Sequence, residues 1–442
     1  MTDAGHATVG KGPEAAIEDG WLLHEPGVLN LPLLYDFAYV AVDDMTKMAK
    51  QVVQSFYGRA AEYSYWSGCS TGGRQGMAQA QRSPENYDGI LSVAPATNWA
   101  SFIVAELWPH VIMNELEAYP PQCEFDAITA AAIEACDELD GIKDGIVSAH
   151  GQCTFNASTI VGKKINCNAI QDHKISQEAA QIAQETWQGP TTASGESLWP
   201  GLPRGTSFYI PSLGPFGGLV QTSCSASSQT KNNSKEKCTS VPFIMASSNL
   251  RSLITKTPDL NTQTLSREDF RRLLHKSRQE QLSVMDTADP DLSGFKSAGG
   301  KLLHWHGVAD QLIPVNGSAD YYTRVQRLES DVRDFYRYFE VPGVEHCSGG
   351  PGHFPATALE SLVAWVEEGE APGSIEGVGV GAEGKGEAKR PICAWPLLAV
   401  YKGGNVDSAE SFECMGGFDA FGFPEVEGTR SVEGEAGTRD EL

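Results

Sequence analysis

The sequence has no run of basic residues, no C-x-x-C pair and no apolar stretch of membrane-spanning length. Each absence closes off a class of function. With 33 Lys and Arg against 57 Asp and Glu, the formal net charge is −24, so the mean field repels polyanions and no local basic patch makes nucleic acid a partner. The longest apolar runs, such as Phe37 to Val42 and Leu397 to Tyr401, fall far short of the ~18–20 residues that cross a bilayer. No membrane association is expected. Without C-x-x-C, a zinc ribbon or a thioredoxin-like site lacks its basic unit. Met1 to His6 carries neither a basic nor an apolar leader segment, so this chain shows no secretory signal.

What is present is cysteine, ten residues in 442, an even number and a density typical of an oxidised compartment. Disulfides are the expected use. A chain of this length with 41% hydrophobic residues buries a substantial core, and at roughly 100–200 residues per domain it holds two or three domains, or one large domain with an insertion.

Along the chain, residues 34–58 place Val42, Met45, Ala49, Val52, Val53 and Phe56 at helical spacing and end at Gly58, which predicts an amphipathic helix. Tyr63 to Ser67 reads as a strand, Gly68 to Gly73 as a tight turn, Met77 to Gln81 as helix and Ile90 to Val93 as a buried strand. Strand, helix, strand predicts a parallel sheet covered by helices. From about residue 100 to 295 the texture becomes loop-rich, with helical patches at Ala127 to Cys136 and Ser266 to His275 and six of the cysteines. This reads as an inserted domain. The sheet pattern resumes with Lys301 to His306 and Asp334 to Val341, followed by a helix over Ala356 to Glu368. Residues 370–390 read as a linker or surface loop, Cys393 to Cys414 as a small module, and 425–442 as an acidic tail too poor in apolar residues to fold. The expected division is therefore 1–100 and 296–424 for the sheet domain, 101–295 for the insertion and 425–442 for the tail.

Gly68-Cys69-Ser70-Thr71-Gly72 satisfies G-x-S-x-G between a predicted strand and a predicted helix, the context of a nucleophile elbow. The glycines leave space for a strained turn that lifts the Ser70 hydroxyl above the sheet edge. The alternative is a plain Ser helix cap. In an α/β-hydrolase the orienting acid and the base follow the serine in that order. Asp310 lies in the loop after the Lys301 to His306 strand, and His346 in the loop after the next strand. His306 reads as a strand-end residue with a satisfied hydrogen bond, and His353 is the runner-up as base. Cys69 precedes the proposed nucleophile and Cys347 follows the proposed base. A bond between them would clamp the two loops, while separate partners for each remain open.

These residues resemble the tannase and feruloyl esterase family of serine esterases, in Cys69-Ser70, Asp310 and His346-Cys347, in Tyr65 to Gly76, in Asp88-Gly89-Ile90 with Ala94-Pro95-Ala96, and in His306 to Asp310. The resemblance runs from about Asp3 to Phe412 and implies an α/β-hydrolase fold with a large lid inserted between nucleophile and acid. It implies catalysis by Ser70, His346 and Asp310 on small or polysaccharide-linked phenolic esters, feruloyl or galloyl. The alternative is a non-catalytic fragment that at most binds phenolic esters or carbohydrate. Besides Cys69–Cys347, the expected bridges are Cys136–Cys153, which the family implies, then Cys393–Cys414, Cys224–Cys238 and, by elimination, Cys123–Cys167.

Cys136 to Ile146 looks like the calcium loop of the family's lid. Asp137, Asp140 and Asp144, with the carbonyls of Ile142 and Ile146, would supply an all-oxygen shell for Ca²⁺. The spacing is not that of an EF-hand, and from the residues alone a solvated acidic turn is the alternative. Thr71 N–H is one expected oxyanion donor. The second normally comes from an earlier loop, and Asp3-Ala4-Gly5-His6, which lies deep inside related chains, here follows Met1. The chain therefore reads as truncated at its N-terminus, and loss of one such donor costs roughly 2.7–4 kcal/mol of transition-state stabilisation. The parent protein is expected to be secreted. Arg439 to Leu442 approximates an endoplasmic-reticulum retrieval signal, but reads as the end of the acidic tail.

Overall fold

The computed structural model describes residues 21–167, 170–225, 237–381, 384 and 386–416. The acidic tail with Arg439 to Leu442, and the segment Asp3 to His6, lie outside the described residues. Among those described, no helix is long and apolar enough to cross a membrane.

The sheet domain opens with helix α1 (Ala41–Tyr57), strand β1 (Tyr65–Cys69), helix α2 (Thr71–Arg82) and strand β2 (Gly89–Val93). The chain then passes through α3 (Trp99–Ala105), α4 (Trp108–Glu115), α5 (Gln122–Cys136), α6 (Gln177–Gln188) and α7 (Arg267–Gln281). It returns to the sheet with β3 (Lys301–Gly307), α8 (Asn316–Leu328), β4 (Tyr336–Val341) and α9 (Ala358–Glu367). The four strands are parallel, in the order β4-β3-β2-β1. Parallel neighbours require crossovers, and the longest of these, between β2 and β3, carries the whole insertion.

The pleat sends alternate side chains to opposite faces. Ile90, Leu302, Tyr336 and Tyr338 enter one core with Met77 and Tyr322. Leu91, Leu303, Trp305 and Phe339 enter the other with Leu362 and Trp365. A third core belongs largely to the insertion, centred on Trp108, Ile112, Phe125, Ile182 and Phe270, and it reaches the sheet domain through Trp99, Leu312 and Ile313.

Two parts of the sequence reading change. Residues 370–390 are not a linker: Ser374–Val380 (β5) and Glu387–Cys393 (β6) form an antiparallel hairpin, whose Ile375 and Ile392 pack into the second sheet core. Frequent glycine hid the strands, yet Gly377 and Gly379 are where His353 lies against the hairpin, 3.0 and 2.9 Å from the place a Cβ would take. Helix α1 forms and ends at Gly58 with φ 70°, but only its first half is buried. Val42 is 1% exposed, whereas Met48, Val52 and Phe56 are 66, 61 and 80% exposed. Among the described residues β1, the next of these elements in the chain, is paired on one side only.

Five disulfides join Cys69–Cys347, Cys123–Cys167, Cys136–Cys153, Cys224–Cys238 and Cys393–Cys414. The last ties the end of β6 to an outer hairpin of β7 (Leu397–Tyr401) and β8 (Phe412–Gly416).

Candidate active site

Ser70 stands at the junction of β1 and α2 with φ 61° and ψ −118°, a strained conformation for a residue with a side chain. The surroundings hold it there. Ser70 N–H donates to Val93 O at 3.0 Å, and its carbonyl accepts from Arg74 N at 2.9 Å and Ala96 N at 3.2 Å. A Cβ on Gly68 would come within 2.6 Å of the Gly72 carbonyl carbon and oxygen, and one on Gly73 within 2.5 Å of Val93 O. The turn closes only because both lack one. Gly72 has open space beside it, so of the two motif glycines it is Gly68 that the packing requires. Fully buried Arg74 donates to Phe37 O and Ala38 O at 3.0 and 2.9 Å and anchors α2 beneath the serine.

Asp310 follows β3, fully buried. Its Oδ1 accepts from Leu312 N and Ile313 N, both at 2.9 Å. Its Oδ2 faces two imidazoles, His346 Nδ1 at 2.7 Å and His306 Nε2 at 3.0 Å. Burial alone would raise this carboxyl's pKa. The His346 charge and the hydrogen bonds from His306 and His346 outweigh it and hold the group far below the ordinary carboxylate range. The same contact acts on His346, where burial disfavours the imidazolium but Asp310 raises the pKa above its usual value.

The two loops that carry these residues touch directly. Ala309 N donates to Val344 O at 3.0 Å, and a Cβ on Gly307 would lie 2.2 Å from the same oxygen. Gln311 Oε1 accepts from His346 N at 3.1 Å. On the far side of His346, Cys347 is bonded to Cys69. Ser70, Thr71 and His346 all line one cleft of about 390 Å³, whose walls include Trp99, Phe102 and Ile103 of α3 together with Phe216, Phe243 and Met245 from the insertion.

Sequence reasoning missed His306 as part of this constellation. It is the second donor to Asp310, with Nδ1 facing Ser318 Oγ at 2.8 Å and Nε2 also near Ile313 O at 3.0 Å. Two acceptors at Nε2 place the proton there. The spacing of His306 and Asp310 across a Gly-containing turn was the available signal. His353 lies elsewhere, against β5, and does not contact Asp310.

Arranged this way, a hydroxyl at a strained elbow and a carboxylate-bound imidazole face one apolar cleft, the equipment for acyl transfer. The Tannase profile, described as tannase and feruloyl esterase, matches residues 2–415. The chain belongs to the tannase and feruloyl esterase family. It is 38% identical over 424 residues to a probable feruloyl esterase of Arthroderma benhamiae, covering 94% of this chain and 76% of the relative. It is 30% identical over 434 residues to a tannase of Aspergillus oryzae, with 90% and 73% covered. Among solved structures, the tannin acyl hydrolase from Aspergillus niger superposes with a TM-score of 0.80 at 27% identity, over 94% of this chain and 75% of that one. The protein is thus a carboxylic ester hydrolase with the α/β-hydrolase fold, and a match over almost the whole chain argues against a non-catalytic fragment.

The Asp137 to Ile146 loop is not a solvated acidic turn: Asp137 and Asp140 are each 3% exposed. Asp137 accepts from the backbone N–H groups of Asp144, Gly145 and Ile146 at 3.1, 2.9 and 3.2 Å. Asp140 accepts from Ile142 N at 3.3 Å, and Asp144 pairs with Arg390 of β6. Among the described residues no group of three or more His, Cys, Asp or Glu side chains stands in metal-holding geometry, and Asp144 is engaged by Arg390.

Proposed function

We propose that the protein hydrolyses esters of phenolic acids through a covalent acyl-enzyme, with Ser70 as nucleophile, His346 as general base and acid, and Asp310 orienting the imidazole. The Asp310–His346 bond at 2.7 Å, beside a cleft that Ser70 shares, carries this reading. With Nδ1 engaged by Asp310, Nε2 is the nitrogen left to take the Ser70 proton as Oγ attacks the ester carbonyl. His346 then returns that proton to the departing alcohol. Water, deprotonated in turn by His346, releases the acid and restores Ser70. Thr71 N–H, at the start of α2, is the donor proposed for the oxyanion, and residues 101–295 serve as the lid that supplies the cleft's outer wall. Assays with methyl ferulate, methyl gallate and a p-nitrophenyl ester test the substrate class, and equal activity in wild type and Ser70→Ala would overturn the mechanism.

Calcium in the Asp137 to Ile146 loop is also proposed. The donors are all oxygen, as Ca²⁺ prefers, and three carboxylates share the turn with Arg390, a single positive charge paired to Asp144. An ion there would hold the insertion, far in role from the chemistry. Five disulfides further support secretion of the protein into an oxidising compartment, which thiol titration of protein recovered from the source's medium and cytosol would test.

A further inference from the structure

The polar side chains lining the cleft are Ser70, Thr71, His346, Gln311, Glu106 and Trp99, whose indole N–H is buried without a partner. The first three belong to the reacting end, and Gln311 Oε1 is taken by the His346 N–H. Glu106 has no such employment. It caps the C-terminal end of α3, where its backbone N–H bonds Phe102 O at 3.0 Å, yet its side chain does no capping. It is 3% exposed, and Oε2 is buried without a hydrogen-bond partner. It also lines an adjoining narrow void walled by Trp199, Leu202 and Pro314, so it sits where the cleft meets the apolar interior of the insertion.

We propose that Glu106 is a specificity-determining residue that hydrogen-bonds the phenolic hydroxyl of a hydroxycinnamoyl group bound in the cleft. This rests on the esterase reading above and deepens it. A buried polar atom left unpaired is costly, and a ligand hydroxyl repairs the deficit. Burial pushes the Glu106 carboxyl well above the ordinary carboxylate range, and the Asp310 charge pushes it the same way. The shift favours the protonated form, which both donates and accepts and so matches a phenol. Among the residues lining the cleft there is no Lys or Arg, so an acyl group bearing its own carboxylate finds no counter-charge. A galloyl ring brings three adjacent hydroxyls to walls whose buried unpaired polar groups are the Glu106 carboxyl and the Trp99 indole N–H, and each unpaired hydroxyl is penalised. A hydroxycinnamoyl ring brings one, on a long apolar body.

The test compares kcat/KM for methyl ferulate, for methyl 3,4-dimethoxycinnamate, in which the hydroxyl is methylated, and for methyl gallate. Wild type is expected to prefer ferulate to its methylated analogue and to gallate by about tenfold or more. Glu106→Leu is expected to bring the ferulate-to-dimethoxycinnamate ratio to near one, and Glu106→Gln, which keeps a neutral donor, to retain most of it. A ratio near one in wild type, a preference for gallate, or an unchanged ratio in Glu106→Leu overturns the proposal. Should Glu106→Leu not fold, the wild-type ratios and Glu106→Gln decide. Ester cleavage that needs Ser70 but ignores the hydroxyl defeats the Glu106 assignment alone, whereas Ser70→Ala as active as wild type defeats the esterase mechanism beneath it.

Discussion

Cys69 and Cys347, 278 positions apart, are bonded with their Cα atoms 5.9 Å from one another, and their chain neighbours are Ser70 and His346. The bond therefore sets the approach of nucleophile and base. Replacing both cysteines with Ala is expected to lower kcat about 100-fold, because small misplacements of reacting groups are that costly, and to lower stability by about 2–4 kcal/mol. Single-turnover kinetics on the folded variant, with calorimetry alongside, separates the two effects. A stability loss with kcat intact would reduce the bond to a staple.

Asp310→Asn removes the charge that two imidazoles share. A drop of about 10⁴ in kcat is expected, as when the orienting carboxylate of a serine triad is neutralised. Since Asp310 raises the His346 pKa against the effect of burial, wild-type activity should fall as pH drops through a value above 6.5, where the base becomes protonated. In the variant that acid limb should move to lower pH. A pH profile of kcat/KM in both proteins checks the shift.

Gly68→Ala and Gly72→Ala form a matched pair. The first drives a Cβ to within 2.6 Å of the Gly72 backbone, and the second meets open space. Gly68→Ala is expected to cost about 1–3 kcal/mol of stability from overpacking and to depress kcat by displacing Ser70. Gly72→Ala should be close to neutral in stability. Denaturant titrations of both variants measure the contrast.

His353 gives acid sensitivity. Burial, helped by the Arg390 charge and opposed by Asp407, lowers its pKa to about 4, below the unfolded value of about 6.5. Its unfolded form thus takes up a proton first, so its contribution to stability is present above pH 6.5 and lost as pH falls towards 4, at no more than about 1.4 kcal/mol per pH unit. Buried Asp286, with its pKa raised to about 7, works the other way, favouring the folded state at the acid end of the same window. The difference between wild type and His353→Gln isolates the histidine: the variant should lose less stability between pH 6.5 and 4.

Chelation is expected to lower the melting temperature without changing kcat of the molecules that remain folded, by an amount set by the ion's affinity and concentration. Elemental analysis before and after, with thermal melts, checks it. An unchanged melting temperature after verified metal removal would remove calcium from the loop.

Much of the site was legible in the chain because it is written in local patterns. G-x-S-x-G between a strand and a helix marks Ser70, and loops after two later strands offer Asp310 and His346, since parallel strands deliver their following loops to one sheet edge. The helical spacing before Gly58 was equally clear. What that spacing could not say is which half of α1 is covered, because burial depends on what packs against a helix. The hairpin in residues 374–393 was hidden for a related reason: its strands are held by partners and by His353 rather than by their own β-propensity.

The chain by itself determined the chemistry available: a serine esterase of α/β type, rich in cysteine and acidic, because residue types and short spacings are properties of sequence. Only the tertiary structure decided that His306 shares Asp310 with His346, that Asp144 turns to Arg390, and that Glu106 lines the cleft with a buried, unpaired oxygen. The Asp310–His346 and Asp144–Arg390 contacts join segments far apart in the chain, and Glu106 meets the cleft only where the insertion packs on the sheet domain. Distances of that kind follow from packing, which no local pattern encodes.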